Sequence, residues 1–269
     1  MTPLVAEFLG TMLLVLLGDG ICANNNLTGT KGHNSGWLFI NAGWGLAVFT
    51  AVMCTRQYSG AHLNPAVSVG LAAAGEFPWA NVGGYLAVQF AGAFVGALLV
   101  YVFYIQHFRI TEDADAKLGS FCTGPSIRGL VPNILGEAIG TFVLVFAVLL
   151  AFDGTVQIGE ESHTIGLGSV GALPVAFVVF VIGMGLGGTT GYAINPARDF
   201  SPRLAHAILP IPGKRDSDWG YSWIPVLAPI LGGIAAAVLY RAVVAQTAVD
   251  EAAMLGNAAG DLFIALPRR

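Results

Sequence analysis

Two short stretches combine asparagine, proline and small residues in a pattern that could form a polar loop along the path of a solute. The first is residues 59–66, Ser-Gly-Ala-His-Leu-Asn-Pro-Ala, and the second is residues 190–199, Thr-Gly-Tyr-Ala-Ile-Asn-Pro-Ala-Arg-Asp. In each stretch the glycine permits unusual backbone angles, the asparagine is a strong helix N-cap, and the proline suits the first helical position. Each stretch predicts an irregular loop that leads into a helix. The pattern occurs twice, with the asparagines 131 residues apart, which indicates that the two loops act as a pair.

Such loops could line a passage with backbone carbonyls as hydrogen-bond acceptors, while the asparagine amides act as donors where the loops meet. The carbonyls expected to face the passage belong to Gly60, Ala61, His62, Gly191, Tyr192 and Ala193, and the junction comprises Asn64, Pro65, Ala66, Asn195, Pro196 and Ala197. His62 could equally be a hydrogen-bonded structural group. A row of acceptors opposite an apolar wall suits molecules with hydroxyl groups on a carbon chain, so the pattern favours polyols over ions.

Charged residues inside apolar sequence are the other candidates for chemistry. An arginine at membrane depth costs at least ~2.5 kcal/mol unless it meets water or a partner, so Arg198 predicts a wet lumen. Pairing with Asp199 is the alternative, but adjacent helical side chains point about 100° apart. Glu7 and Glu137 could relay protons. Their matching positions favour a second role, in which each carboxylate accepts hydrogen bonds from backbone amides of a loop.

The composition is that of a membrane protein. Of the 269 residues, 55% are hydrophobic and 10% are charged, and the mean hydropathy is +0.71, whereas an average soluble domain is about a quarter charged. The net charge of -4 and the dispersed basic residues argue against nucleic-acid binding. The three cysteines are far apart and match no metal or redox motif, so we expect neither a metal nor a cofactor.

Six apolar runs are long enough, at about 20 residues each, to cross a bilayer. They lie near residues 3–23, 37–57, 82–104, 131–152, 171–190 and 222–244. The first run has no preceding basic region and no evident cleavage site, so we expect a retained span and not a signal peptide. The helices that begin at Asn64 and Asn195 are too short to cross alone, and they are predicted as half-helices that line a cavity.

The two halves of the sequence match each other. Glu7 and Glu137 are 130 residues apart, close to the 131 that separate the asparagines. Because each copy holds three spans, the second copy is inverted. We therefore predict an all-α membrane protein of six transmembrane helices and two re-entrant half-helices that meet near the midplane. The channel domain is placed at 1–245, with repeat one at 1–107, a loop at 108–130 and repeat two at 131–245, and a peripheral tail at 246–269.

At these motifs the sequence resembles the major intrinsic protein (aquaporin) family, from Glu7 through the sixth span. Within that family it is similar to the glycerol facilitator (aquaglyceroporin) branch, whose marker is the aspartate at Asp199, followed four residues later by the basic Arg203. The resemblance implies a selectivity filter of Trp44, Gly183, Tyr192 and Arg198. Water-selective relatives have a histidine at the position of Gly183. By this resemblance, the glycine would leave room for a carbon chain. The tyrosine replaces the phenylalanine of the best-known glycerol channels.

The resemblance implies a passive, multi-pass channel in the plasma (cell inner) membrane that conducts glycerol and water, with urea and other small uncharged solutes as further candidates, and that excludes ions and protons. It also implies a homotetramer with one pore per subunit. A water-dominant aquaporin is the nearest alternative. A coupled secondary transporter is less favoured, and an adhesion protein that keeps the scaffold is a third. The sequence holds no catalytic triad pattern or phosphate-binding loop, so an enzyme is not expected.

Overall fold

The computed structural model describes residues 1–151, 154–158 and 161–264. The regular secondary structure of the described part is helical, apart from one short hairpin. The helices are α1 (Pro3–Asn26), α2 (Trp37–Ser59), α3 (Pro65–Ala74), α4 (Trp79–Phe103), α5 (Ile105–Ile110), α6 (Ala114–Leu118), α7 (Leu130–Leu150), α8 (Leu173–Leu186), α9 (Pro196–Ile208), α10 (Trp219–Ser222) and α11 (Ile224–Ile264), and a 3₁₀-helix at Gly168–Ala172 precedes α8.

Six helical segments are long and apolar enough to cross a membrane, which confirms the predicted number of spans. They are α1, α2, α4 and α7, the 3₁₀-helix together with α8, and the segment Trp219–Val244. The fifth span ends at Leu186, four residues before the predicted end at 190. Helix α11 continues to Ile264, beyond residue 245, where the sequence predicts the channel domain to end. The chain is therefore an integral, multi-pass membrane protein.

The two half-helices α3 and α9 each pack against the opposite half of the chain. Helix α3 contacts α11, and α9 contacts α4, while the pairs α1–α4 and α7–α11 form equivalent packed layers. Glycines at matching positions permit this close packing: a Cβ at Gly92 would collide with the carbonyl of Phe8, and a Cβ at Gly232 would collide with the carbonyl of Ala138. Small residues at such contacts let backbones approach in membrane proteins.

A two-stranded antiparallel hairpin interrupts the helical pattern between α7 and α8. Strand β1 (Gly154–Ile158) pairs with β2 (Glu161–Ile165), with Thr155 opposite Thr164. The sequence predicts only a connecting segment there. Since the hairpin lies between spans, the predicted all-α membrane fold is confirmed for the membrane-spanning part.

The buried core surrounds the place where the half-helices begin. One apolar cluster includes Trp44, Leu63, Leu144, Tyr192 and Ile194, so it joins both loops to α2 and α7. A second cluster lies between α1, α4 and α9 and extends to Phe108 and Phe121 in the connection after α4. The loops are thus enclosed by protein, as irregular backbone at membrane depth must be.

Candidate functional site

The two loops that precede the half-helices share an unusual backbone. In the first loop Gly60, Ala61 and Leu63 have φ values of 82°, 53° and 52°, and in the second Gly191, Tyr192 and Ile194 have 84°, 40° and 42°. These left-handed angles fall at identical positions relative to the two asparagines. Non-glycine residues adopt them only at a cost of about 1–3 kcal/mol each, so the surrounding structure must hold the loops in place.

Two buried carboxylates hold these loops. Glu7 accepts hydrogen bonds from the backbone amides of His62 (2.9 Å) and Leu63 (2.7 Å). Glu137 accepts from the amides of Ala193 (3.0 Å) and Ile194 (2.8 Å). Both glutamates are 0% exposed. Charge-assisted hydrogen bonds to the same two amides of each loop oppose the backbone strain.

The first carboxylate has additional side-chain partners. The Ser59 hydroxyl donates to Glu7 at 2.6 Å, and the Gln89 amide donates to it at 2.7 Å. Gln89 also donates to Ser68 Oγ at 3.0 Å, and Ser68 Oγ lies 3.0 Å from His62 Nδ1. His62 is thus hydrogen-bonded within the scaffold while it also lines the cavity described below.

The two asparagines link the half-helices to each other. Asn64 Nδ2 donates to the carbonyl of Ile194 at 2.7 Å, and Asn195 Nδ2 donates to the carbonyl of Leu63 at 2.8 Å. Each side-chain oxygen caps its own helix, since Asn64 Oδ1 accepts from Ala66 N and Asn195 Oδ1 accepts from its own first turn. A side-chain amide carries two N–H groups, and each crossed bond uses one of them.

Both half-helices begin at this junction with a proline as their first residue, Pro65 in α3 and Pro196 in α9. The crossed asparagine bonds bring the two N-termini together. A helix N-terminus carries a partial positive charge of up to about half an elementary charge. The junction therefore combines two positive dipole ends with two asparagine donors, which disfavours cations there.

A cavity of about 350 Å³ runs beside both loops. On α2 its lining residues are Trp44, Val48, Val52 and Arg56, one stripe of the helix. Twelve residues of helix extend for about 18 Å, which sets the length of the cavity along α2. The other apolar lining residues include Leu14, Val67, Leu71, Leu144, Val148, Val175, Val178 and Val179. The lining is therefore largely apolar, with polar groups supplied by the two loops.

Most residues of the predicted carbonyl set line this cavity. They are Gly60, Ala61, His62, Tyr192 and Ala193, together with both asparagines of the junction. Gly191 is not among the lining residues of this cavity, and a Cβ added to it would come within 3.1 Å of the Cβ of Thr123. Prolines 65 and 196 and alanines 66 and 197 form the buried first turns of the half-helices.

Three residues of the predicted filter meet at one end of the α2 stripe. The guanidinium carbon of Arg198 lies 3.9 Å from the centre of the Trp44 ring, which is a close cation–π contact. Tyr192 lines the same cavity, and its ring packs edge-on against Trp37 with centroids 5.8 Å apart. Trp44, Tyr192 and Arg198 are each at most 6% exposed. This end of the cavity is aromatic and cationic, whereas the middle is aliphatic.

Gly183, the fourth residue of the predicted filter, lies against Tyr192. A Cβ at Gly183 would come within 2.7 Å of Tyr192 Cζ and 2.5 Å of Asn41 Oδ1. The space that the missing side chain leaves is therefore taken by the tyrosine ring and the Asn41 amide. Asn41, which is fully buried in α2, was not predicted as a site residue.

Sequence reasoning also missed the partner of Arg198. Its Nη1 donates to Asp19 Oδ1 at 3.2 Å and to the carbonyl of Phe121 at 3.4 Å. Asp19 lies in α1 and is 0% exposed. The sequence contained a signal, because Asp19 is an acidic residue inside the first apolar run. Its partner could not be chosen from sequence, since the two residues are 179 positions apart.

Asp199 takes part in a separate network. Its Oδ2 accepts from the amide (2.8 Å) and the hydroxyl (2.7 Å) of Thr123, and its Oδ1 accepts from Arg203 Nη2 at 2.8 Å. Arg203 Nη2 also donates to the carbonyl of Thr123 at 2.7 Å. Asp199 thus anchors the segment that carries Phe121, whose carbonyl contacts Arg198. Within the part of the chain that the structure describes, no cluster of metal-binding side chains is found.

Comparison with known proteins adds independent findings. A family model described as major intrinsic protein matches residues 1–240. A probable glycerol uptake facilitator protein of Thermotoga maritima is 58% identical over 241 residues, covering 90% of this chain and 99% of that protein. The glycerol uptake facilitator protein of Bacillus subtilis is 50% identical, over 90% of this chain and 85% of that protein. The X-ray structure of the aquaglyceroporin from Plasmodium falciparum superposes with a TM-score of 0.75 at 32% identity, covering 91% of this chain and 97% of that one.

Proposed function

This chain belongs to the major intrinsic protein family, and from that premise we propose that it is a passive channel for glycerol whose solute path is the cavity beside the two loops. The observation that carries the proposal is the lining of that cavity. Carbonyl-bearing loops, an arginine and two aromatic rings accompany an otherwise aliphatic wall. Glycerol has the same two chemistries, a row of hydroxyl groups and a carbon backbone.

The filter is the group Trp44, Gly183, Tyr192 and Arg198. The glycerol carbon chain lies against the Trp44 ring, and the guanidinium of Arg198 donates hydrogen bonds to hydroxyl groups. Gly183 acts by accommodating Tyr192, which then sets the width of the aperture. A solute that passes this end exchanges hydrogen bonds with water for hydrogen bonds with the protein, so its dehydration is compensated.

Ions and protons are excluded at the junction of the half-helices. Each asparagine retains one N–H beyond its crossed bond, and a hydroxyl or water oxygen that accepts from these groups is oriented by them. The two helix dipoles place positive charge at the same point. A cation or a hydronium ion therefore meets both an unfavourable potential and a break in the hydrogen-bonded file.

The competing functions fit this geometry less well. Because the relatives include glycerol uptake facilitators, a water-dominant aquaporin is not favoured as the function. In a proton-coupled transporter a carboxylate must exchange protons, but Glu7 and Glu137 are fully buried and occupied with the loop amides. The relatives named above are glycerol uptake facilitators and an aquaglyceroporin, which supports a transporter-type protein.

The outer surface supports a proposal about the assembly and the membrane around it. Large apolar side chains are exposed on the spanning helices, among them Leu46, Val102, Phe103, Phe177, Val181 and Val238. Such a surface requires lipid or another subunit. We place the protein in the plasma membrane as a homotetramer with one path per subunit, and we include water and urea as further solutes.

Swelling of proteoliposomes tests the proposal. Purified protein reconstituted into vesicles should accelerate glycerol entry under an inward glycerol gradient, with no ion gradient present, and stopped-flow light scattering would measure the rate. Vesicles without protein supply the background. A glycerol rate equal to that background, or one that requires an ion gradient, would refute the proposed function.

A further inference from the structure

Helix α1 supplies a buried carboxylate that the solute path described above does not use. Asp19 is 0% exposed, and its Oδ1 accepts from Arg198 Nη1 at 3.2 Å. Among the described residues its Oδ2 has no hydrogen-bond partner. A carboxylate is costly to bury without compensation, so its place beside the filter arginine calls for a function there.

The contacts of Arg198 divide its guanidinium into two edges. Both protein acceptors that it meets, Asp19 Oδ1 and the Phe121 carbonyl, are reached by Nη1. The remaining donors are on Nε and Nη2, and the hydrogen bonds from the guanidinium to oxygen acceptors among the described residues all use Nη1. One edge is therefore held by protein, and the other is available to a solute in the cavity.

The same face of α1 also seats the aromatic wall. Cys22, one turn after Asp19, accepts a hydrogen bond from Trp44 Nε1 at 3.3 Å. The Trp44 ring lies directly against Gly18, where any side chain would collide with it. The guanidinium of Arg198 in turn lies 3.9 Å from that ring. Residues 18–22 thus form one support for two filter residues.

We propose that Asp19 is a positioning residue of the filter and sets its preference for glycerol over water. Its carboxylate holds the Nη1 edge of Arg198 toward α1, which keeps the guanidinium beside the Trp44 ring and turns its other edge toward the solute. Without that carboxylate the buried cation loses its counter-charge and moves toward water in the aperture. A three-carbon solute is impeded by this movement more than a water molecule is. The inference rests on the proposed glycerol channel.

The test compares glycerol and water permeation in the same proteoliposomes. Asp19→Asn preserves the shape of the side chain and removes its charge. We expect the ratio of glycerol to water permeability to fall about fivefold or more, since a charge-assisted hydrogen bond is replaced by a weaker one. Thr11→Val is the matched control, because Thr11 is equally buried in α1 and its hydroxyl bonds only to the carbonyl of Glu7 among the described residues. Its ratio should equal that of the wild type.

A double-mutant cycle distinguishes the positioning of Arg198 by Asp19 from a general loss of structure. If Asp19 acts through Arg198, then Asp19→Asn should not lower the ratio further in an Arg198→Gln background. Independent, multiplicative losses would overturn the proposal, as would an unchanged ratio in Asp19→Asn itself.

A second variant covers the case in which Asp19→Asn does not fold. Asp19→Glu retains the charge and moves the carboxylate by one methylene, so it should shift the ratio while water permeation is preserved; a wild-type ratio would overturn the proposal. Wild-type vesicles that fail to conduct glycerol would refute the channel function itself, which is a separate result.

Discussion

The loop before α3 and the loop before α9 have the same backbone, but the first turns of the two half-helices carry different residues. Three and four positions after Asn64 stand Val67 and Ser68, whereas the same positions after Asn195 hold Arg198 and Asp199. Val67 packs in the apolar core. Arg198 reaches Asp19 and the Trp44 ring, so one repeat supplies an apolar wall where the other supplies a charge.

This difference separates two tasks that the duplicated scaffold performs. The glutamate contacts, the left-handed residues and the crossed asparagine bonds occur in both repeats, and they maintain the loops and the junction. The filter residues occur at one end of the cavity only. In the proposed channel, the symmetric contacts therefore serve the barrier to charge, while the departure from symmetry serves the choice of solute.

The largest effect is expected for Gly183→His, at the end of the cavity where the proposed filter residues lie. The imidazole would need the space now occupied by Tyr192 and Asn41, so it would drive the tyrosine ring into the aperture. Glycerol permeation should fall about tenfold or more, and water permeation much less, since a narrowed pocket discriminates by size. Gly185→His is the control, because Gly185 has no neighbour within 4 Å of an added Cβ among the described residues. Equal losses of glycerol and water would contradict the role of Gly183.

Amide substitution tests whether the two supporting glutamates contribute equally to the stability of the protein. In Glu7→Gln the new NH₂ group faces either the amide of His62, beside a Ser59 hydroxyl that can turn to accept, or the amides of Leu63 and Gln89. We expect a loss of about 3 kcal/mol in the free energy of unfolding, from one unsatisfied donor at about 1–3 kcal/mol and from the weakening of the other charge-assisted hydrogen bonds. Glu137→Gln should cost less, since its carboxylate accepts from two loop amides and has fewer charge-assisted hydrogen bonds to weaken. Thermal unfolding in detergent would measure both, and a larger loss for Glu137→Gln would be inconsistent with these contacts.

The crossed asparagine bonds predict equal effects in the two repeats. Asn64→Ala and Asn195→Ala each remove one helix cap and one bond to the opposite loop, 2.7 Å and 2.8 Å long. Each should destabilise the protein by about 2 kcal/mol, as expected for a cap plus a buried hydrogen bond. Unfolding of both variants under identical conditions would sharpen the comparison. Losses that differ by more than twofold would show that the junction is not symmetric.

The smallest effect concerns how the half-helices end. Helix α3 ends at Gly75 in the left-handed conformation, whereas the end of α9 is capped by the Lys214 ammonium, which donates to the carbonyls of His206, Ala207 and Leu209 at 2.6–2.8 Å. Lys214→Ala should cost about 1 kcal/mol, as cations at a helix C-terminus do. Lys31→Ala, at an exposed position, is the control. A melting temperature that is the same for both variants would argue against this cap.

Local patterns were enough to predict the scaffold. Apolar runs of sufficient length define the spans, and the Asn-Pro pairs define the starts of the half-helices, because capping and hydropathy depend on residues close together in the chain. The near-equal spacing of the glutamates and of the asparagines then implies the inverted repeat. The hairpin β1–β2 was not predicted, since it lies in a short connection between spans.

The number of spans, the duplication and the residue types at the junction can be read from composition, capping and spacing. Which charges meet depends on the folded chain. Arg198 pairs with Asp19 and not with its neighbour Asp199, and the space beside Gly183 is filled by Tyr192. These contacts join helices that are far apart in the chain. They depend on the packing of α1 and α8 around the second loop, which no local pattern encodes.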